Sequence, residues 1–486
     1  MMALGELLGK PECAGAKVLL SGIELDSRKV KPGDLFLAIP GEQHDGRQFI
    51  EQAVANGASA VLAEPPVAGF VDAVPVPLLE LPELQQESGL LAASLYGQPS
   101  RALHMVGVTG TNGKTTTSRL VAQLARLMGK SCGVIGTLGA TLGEEVGQGG
   151  NTTPDAVALQ QQLARWRDQG VFAVSMEVSS HAMVQGRVNG VDFETAIFTN
   201  LSHDHLDYHG SMEAYGRAKL ALFATEGLRN ALVNLDDPFA ARVQNILDGD
   251  VASYTYSLRD PSADIFVELA RFSGSRVAGR LRTPWGSGDF DSPLPGDFNL
   301  SNLAAAIAAI VLAGEELGCV LEVVSALQPV PGRMQSIAND QQLQVIVDYA
   351  HTPDALEHVL DALKPHVDGR LVTVFGCGGD RDREKRQVMG RVACSRSDRV
   401  VVTSDNPRSE NPAAILADIE TGCSGDYVLE VDRAAAIRLA IGEAAPGDCV
   451  VIAGKGHEDY QIVDGSKAFF SDEEQALQAL AARGGK

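Results

Sequence analysis

The 486-residue chain is short of cations: 40 Lys and Arg stand against 62 Asp and Glu, a formal charge of −22. This balance argues against nucleic acid or an anionic membrane surface as partner, so any phosphorylated or carboxylated substrate must meet locally positive sites. The seven cysteines are odd in number and scattered without Cys-x-x-Cys spacing, so neither a disulfide framework nor a structural zinc is indicated. No apolar run is long enough to span a bilayer; the longest lies around residues 304–313. Glu6 comes early and no basic flank precedes an apolar stretch, so no signal peptide is expected and the protein is predicted to be cytoplasmic. What remains, 45% hydrophobic and 21% charged, is an ordinary globular composition. The length predicts about three domains at roughly 150 residues each.

The chain is organised around residues 106–117, Val-Gly-Val-Thr-Gly-Thr-Asn-Gly-Lys-Thr-Thr-Thr. Leu103, Met105, Val106 and Val108 predict a buried strand, Gly110 and Gly113 a turn, and Leu120, Val121, Leu124 and Leu127 one face of a helix. Strand, glycine-rich loop, Lys-Thr and helix make a phosphate cradle. Backbone N–H groups converge on phosphate oxygens, the helix N-terminus favours the anion, Lys114 reaches the outer phosphates and Thr115 holds Mg²⁺. The strict pattern wants glycine where this chain has Val108; glycines stand at 107 and 110 instead. Motif and flanks together predict nucleoside triphosphate binding rather than a bare strand-to-helix turn.

Residues 1–97 alternate short strands (Val18–Leu20, Gly22–Leu25, 35–39, Ser59–Ala63) with a helix marked by Ile50, Ala53, Val54 and Ala58. Ser27, Arg28 and the loop at 42–46 either bind a polar ligand or are plain turns, and Tyr96-Gly-Gln-Pro-Ser100 marks a boundary. In the central segment a strand at Cys132–Ile135 runs into a glycine-rich hairpin. Asn151, Thr152 and Thr153 then precede a helix with Val157, Leu159, Leu163 and Trp166, either capping it or facing the substrate. The strand 171–176 ends in Glu177, the position of a second Mg²⁺ anchor beside a phosphate loop. Beyond the strand Thr195–Phe198 come His203, Asp204, His205, Asp207 and His209. No HExxH or paired Cys supports zinc there, and Mg²⁺ beside a nucleotide is more economical, with one histidine as ligand. Lys219 is by default a surface lysine. Inside the site, next to Mg²⁺, it must contact phosphate or lose its charge by modification. Alternation over 251–290 predicts an antiparallel appendage. Asn299 and Asn302 open an alanine-rich helix at 303–313, either as caps or with amides offered to a base.

Pro331-Gly332-Arg333 marks the second boundary. Four strands follow, each ending in a polar or glycine-rich loop at Asp348–Asp354, Gly376–Asp382, Ser404–Arg408 and Ala453–Glu458. In parallel α/β sheets such loops gather on one edge, where ligands bind. Arg381, Arg408, Asp405 and Glu458 would converge there. Two arginines with two acids suit a ligand that is both acid and amine.

Gly110–Thr116, Glu177-Val-Ser-Ser-His181, Asn200–His209, Pro331–Arg333, Tyr349-Ala-His351 and Gly376–Asp382 together resemble the Mur ligases of peptidoglycan synthesis, in whose loop Val108 is normal. The resemblance covers nearly the whole chain. It implies an α/β fold of three domains: a smaller N-terminal α/β domain (1–97) binding a UDP-sugar, a central P-loop ATPase-type parallel sheet (98–330) binding ATP, and a C-terminal Rossmann-like domain (331–486) binding an amino acid. Asp405-Asn406-Pro407-Arg408 and Gly454–Glu458 look like those of the members that add meso-diaminopimelate to UDP-N-acetylmuramoyl-L-alanyl-D-glutamate. Lysine-adding members and folylpolyglutamate synthase are the near alternatives, and a P-loop switch ATPase the distant one.

Carried over residue by residue, the resemblance implies that Leu25, Ser27, Glu42, Gln43 and His44 bind the UDP-sugar, and Asn151, Thr152, Thr153, Ser179, Gln185 and Arg187 its peptide arm. It puts ATP on Gly110, Thr111, Asn112, Gly113, Lys114, Thr115 and Thr116, with Asn299, Arg333 and Asp348. Mg²⁺ falls to Thr115, Glu177, His205 and a carbamylated Lys219. Diaminopimelate falls to Arg381, Asp405, Asn406, Pro407, Arg408, Gly454 and Glu458. Lys114, Glu177, His205, Lys219 and Arg333 are the expected catalytic set. A monomer is expected, closing its C-terminal domain over the site to keep water from an acyl phosphate.

Overall fold

The computed structural model describes residues 1–41, 44–71, 73–143, 152–273, 276–294 and 296–484. Three main sheets follow one another along the chain. The first has four parallel strands in sequence order: β1 (Gly22–Glu24), β2 (Asp34–Ala38), β3 (Ala60–Ala63) and β4 (Leu78–Glu80). β2 and β3 are buried at every position, as parallel strands covered on both faces must be.

The second sheet has ten strands. In chain order they are β5 (His104–Thr109), β6 (Cys132–Gly136), β7 (Gly139–Leu142), β8 (Ala173–Glu177), β9 (Thr195–Phe198), β10 (Asn230–Asn234), β11 (Ala252–Ser257), β12 (Ile265–Ser273), β13 (Arg276–Thr283) and β14 (Gly286–Ser292). β5 lies between β8 and β9 and is parallel to both. The loop after β5 therefore opens between the loops that follow β8 and β9, at the carboxyl edge where ligands bind. The expected appendage at 251–290 is not separate. β11 pairs parallel with β10 and β12 begins parallel to β11, so within this stretch the antiparallel pairings are β12 with β13 and β13 with β14, which extend the same sheet.

Helix α1 (Lys114–Leu127) follows β5, α2 (Ala156–Asp168) precedes β8, α3 (Met212–Leu220) follows β9, and α4 (Asp297–Leu312) follows β14. α4 starts after Gly296, six residues earlier than the 303 read from its alanines. Leu303, Ile307 and Ile310 are at most 1% exposed and share a core with Leu120, Val121 and Leu124 of α1. Each such side chain contributes about 1.5–3 kcal/mol relative to exposure, and this packing fixes the helix that carries the phosphate loop.

The third sheet runs β15 (Gln335–Ser336), β16 (Gln344–Asp348), β20 (Cys449–Ala453), β17 (Leu371–Phe375), β18 (Arg399–Thr403) and β19 (Tyr427–Glu430), parallel except for β15. A hairpin of β21 (Tyr460–Val463) and β22 (Ser466–Phe469) follows. Helices α5 (Pro353–Leu363), α6 (Glu384–Arg396), α7 (Arg433–Glu443) and α8 (Asp472–Gly484), with a shorter helix over Pro412–Glu420, pack on this sheet. Among the described residues no helix is long and apolar enough to cross a membrane.

Candidate active site

The turn after β5 is held by contacts that only glycine permits. Gly110 has φ +148°, and a Cβ there would lie 1.9 Å from Thr199 Oγ1. Glycine at this point, rather than at 108, lets the loop pass against the end of β9. Lys114 folds back over the loop, its Nζ donating to the carbonyls of Gly110 and Thr111, each at 2.8 Å. Thr111 Oγ1 lies 3.2 Å from Tyr215 Oη, and Asn112 Nδ2 donates to Asp354 Oδ2 on α5 at 3.0 Å. The phosphate loop thus touches the C-terminal part of the chain directly.

Thr115 and Glu177 meet as oxygen donors. Thr115 Oγ1 donates to Glu177 Oε2 at 2.9 Å, and Arg333 Nη2 donates to Thr115 Oγ1 at 3.1 Å. Thr137, just past β6, donates its N–H to Glu177 Oε1 at 2.9 Å and its hydroxyl to Oε2 at 3.2 Å. Arg333 also stacks on Tyr349, 4.2 Å from the ring centre. His205, in a left-handed conformation with φ +54°, faces Asp204 at 3.2 Å. Burial lowers the His205 imidazole from its ordinary value, with the nearby Asp204 carboxylate opposing. His209 bonds Ser180 Oγ at 2.9 Å, and His203 faces Asp382 at 3.5 Å.

Lys219 is not a surface lysine. It is 1% exposed, its Nζ donates to Gly110 O at 2.8 Å, and it sits 4.2 Å from the centre of the Tyr215 ring. Periodicity placed it on a helix but could not show that α3 packs this face beneath the phosphate loop. Burial, then the neighbouring Lys114 ammonium, pushes Lys219 well below the ordinary lysine value.

Neither Asn299 nor Asn302 caps a helix, since α4 begins at Asp297. Asn299 is buried, and Asn302 accepts from Thr117 Oγ1 at 3.1 Å. Buried Asp348 accepts from the N–H groups of Met334 and Ala350, each at 2.7 Å. Thr152 and Thr153 do not cap α2 either; Asp155 does, accepting from Ala158 N at 2.8 Å. Thr153 Oγ1 donates instead to Glu177 O at 2.9 Å, and Arg187 Nη1 donates to Thr153 O at 2.9 Å. Ser179 caps the short helix Ser180–Val184, and Gln185 donates to Tyr208 Oη at 3.2 Å. Thr116 is buried on the first turn of α1. In the first unit, Leu25 is half-buried, His44 exposed, and Ser27 bonded to Gln52 at 2.8 Å. Glu42, Gln43 and Asn151 lie outside the described residues.

The strand ends of the third sheet bring the acid and amide groups together. Asn406 Nδ2 donates to Glu458 Oε2 at 2.9 Å, and Tyr349 Oη lies 3.4 Å from Glu458 Oε1. Asp405 is 9% exposed, and the position a Cβ would take on Gly454 lies 2.8 Å from its Oδ2. Arg408 Nη1 donates to Gly379 O at 2.7 Å. Arg381 donates to Asp380 O and shares the neighbourhood of Gly378 with Arg408. Burial, then the Arg381 charge, lowers Arg408 from its ordinary value, against the opposing carboxylates of Asp405, Glu458 and Asp380.

Family domains match along most of the chain: Mur ligase family, catalytic domain, over residues 19–91; Mur ligase middle domain over 108–310; and Mur ligase, glutamate ligase domain, over 332–456. The chain belongs to the Mur ligase family. This Mur ligase is similar to a protein of Pseudomonas aeruginosa named UDP-N-acetylmuramoyl-L-alanyl-D-glutamate–2,6-diaminopimelate ligase, 49% identical over 483 residues, covering 99% of this chain and 98% of the relative. An Ectopseudomonas mendocina protein of the same name is 50% identical over 484 residues, covering 99% and 98%. A solved structure bearing that name matches with TM-score 0.72 and 39% identity, covering 99% of both chains. The Mur ligase is therefore an ATP-dependent ligase.

Its central cleft has a volume of about 820 Å³ and brings together Lys114, Thr115, Glu177, His205, Lys219, Arg333 and Asp348. Sequence reasoning passed over Thr137, Tyr215 and Lys455. Thr137 directly follows a strand in the phosphate-loop sheet, a position that carried the signal. Lys455 lies inside the Gly454–Glu458 motif without a role assigned to it, and Tyr215 reads only as part of a helix face.

Proposed function

We propose that this ligase adds meso-diaminopimelate to UDP-N-acetylmuramoyl-L-alanyl-D-glutamate, with ATP converted to ADP and phosphate. The observation that carries this reading is full-length similarity, at 49–50% identity, to relatives named for that reaction. Under it, residues 1–97 hold the UDP-sugar, 98–330 the ATP and 331–486 the amino acid, in a cytoplasmic monomer. Leu25, Ser27, Glu42, Gln43 and His44 serve the nucleotide end of the precursor. Asn151, Thr152, Thr153, Ser179, Gln185 and Arg187 serve its peptide. Asp405, Asn406 and Glu458 take the acceptor's ammonium, and Arg381 and Arg408 its carboxylate, a pairing that suits the planar guanidinium fork.

A carboxylate is too poor an electrophile for an amine. The D-glutamyl carboxylate oxygen attacks the terminal phosphorus of ATP, the bond to ADP breaks, and an acyl phosphate results. Lys114 swings from its loop carbonyls to the phosphates and offsets their charge. The amine of diaminopimelate then attacks the acyl carbon, loses a proton, and expels phosphate as the amide forms. The hydroxyl of Thr115 and the carboxylate of Glu177 are the hard oxygen donors that suit Mg²⁺, and the His205 imidazole would join them as a borderline nitrogen ligand. When bound, Mg²⁺ neutralises phosphate charge in the transfer. Lys219, its ammonium disfavoured by burial, can lose one proton, add CO₂ at Nζ and release a second proton, which would turn a misplaced cation into an anionic metal ligand.

Phosphate release from ATP, measured with the UDP-dipeptide and either meso-diaminopimelate or L-lysine, tests the reading. Release that requires meso-diaminopimelate, with product mass raised by that residue, is expected. Release with lysine alone would sink the role given to Arg408. Release without any acceptor would make the protein a P-loop ATPase of another kind.

A further inference from the structure

Lys455 is 0% exposed and does not line the central cleft. It lies in the Gly454–Glu458 turn, where Gly454 and Gly456 adopt φ of +118° and +53°. These left-handed conformations turn the chain tightly enough for the side chains of Lys455 and Glu458, three residues apart, to meet. The Lys455 Nζ donates to Asn406 Oδ1 at 3.1 Å and to Glu458 Oε2 at 3.2 Å. Asn406 in turn donates Nδ2 to Glu458 Oε2 at 2.9 Å, and its Oδ1 also accepts from Ile462 N of β21 at 3.0 Å. The three side chains close a ring of hydrogen bonds. One Glu458 oxygen is tied down from beneath. Among the described residues the other has only the long contact to Tyr349 Oη, at 3.4 Å.

A buried ammonium is costly unless paired and fully bonded. Here its partners are two residues assigned to the acceptor. The same loop is gripped from the other side, where Gln461 Nε2 donates to Asp405 O at 2.6 Å and Arg408 N donates to Ile462 O at 3.0 Å.

We propose that Lys455 is a positioning residue for the acceptor amino acid: from beneath the site it fixes the Asn406 amide and the Glu458 carboxylate, so that the free Glu458 oxygen faces the acceptor's ammonium. The inference rests on reading this loop as the acceptor site. Lys455 itself touches no substrate.

The test uses the full-length enzyme and phosphate release, with each substrate varied in turn, for wild type, Lys455→Met, Glu458→Gln and the double variant. Losing a hydrogen bond to a charged partner is expected to raise the KM for meso-diaminopimelate about tenfold in Lys455→Met. The kcat and the KM values for ATP and the UDP-dipeptide should stay within about threefold of wild type, a split that a merely structural role would not give. Because the two residues act as one unit, the double variant should be no worse than the worse single variant. An unchanged acceptor KM, a uniform loss for all three substrates, or effects that multiply in the double variant would each overturn the proposal. If Lys455→Met does not fold, Lys455→Gln, which keeps a donor without the charge, is read in the same way. Wild type that is inactive with meso-diaminopimelate overturns the acceptor reading itself, whereas an active wild type with an unaffected Lys455→Met overturns only the role of Lys455.

Discussion

Replacing Lys219 by arginine isolates the charge at the centre of the cleft. The Nζ atoms of Lys114 and Lys219 both bond the same oxygen, Gly110 O, each at 2.8 Å, so they lie within about 5.6 Å of one another. Two full charges at that separation repel by about 3 kcal/mol at an effective dielectric of roughly 20. Burial makes the native lysine easier to deprotonate, an escape that arginine lacks. Lys219→Arg should therefore lower kcat by about two orders of magnitude, read as phosphate release with all substrates present. Wild type stripped of CO₂ should lose activity and regain it with bicarbonate. The stability consequence has the opposite sign. The folded value of Lys219 is depressed, so between that value and the ordinary lysine value near 10.5 the unfolded chain binds the extra proton, and the folded state gains stability as pH rises through that window. Lys219→Met removes that cost and should melt higher than CO₂-free wild type at pH 7 while being inactive. An arginine variant within about threefold of wild type, or a methionine variant that melts lower, would refute this account of the charge.

Two further outcomes follow from the same geometry. Gly110→Ala forces a Cβ to within 1.9 Å of Thr199 Oγ1 at φ +148°; it should cost about 1–3 kcal/mol and abolish detectable nucleotide binding in a calorimetric titration, and near-native ATP affinity would count against the cradle. Glu410 accepts from Arg386, which is 1% exposed, at 2.8 and 3.0 Å, and these bonds hold its carboxyl at about 2 rather than 4.5. A depressed carboxylate stabilises above its unfolded value and loses that contribution as pH falls through the folded one. Glu410→Gln should thus cost about 3 kcal/mol at pH 7, with the gap in melting temperature closing between pH 4.5 and 2; a gap independent of pH would contradict the pairing.

The phosphate loop was legible because strand, turn, Lys-Thr and helix are contiguous, and local geometry alone places backbone N–H groups and Lys114 together. The same holds for Glu177 and for the loops at Gly376–Asp382, Ser404–Arg408 and Ala453–Glu458, since a parallel strand delivers its carboxyl end to a shared edge whatever its neighbours are. Helix starts were less legible. Asp155 caps α2 where Thr152 and Thr153 were equally eligible, and α4 begins at Asp297 because Gly296 turns the chain there. The alternating residues at 251–290 announced strands, but only pairing with β10 showed that they prolong the central sheet.

By itself the sequence determined where nucleotide chemistry sits and which side chains flank it. Tertiary structure alone decided which of those side chains are charged, paired and aimed. Lys219 looks exposed until α3 packs beneath Gly110, Thr137 reaches Glu177 across neighbouring strands, and Lys455 finds Asn406 from a different strand end. Such partnerships join residues far apart in the chain. They depend on strand order and register, and no local periodicity encodes either.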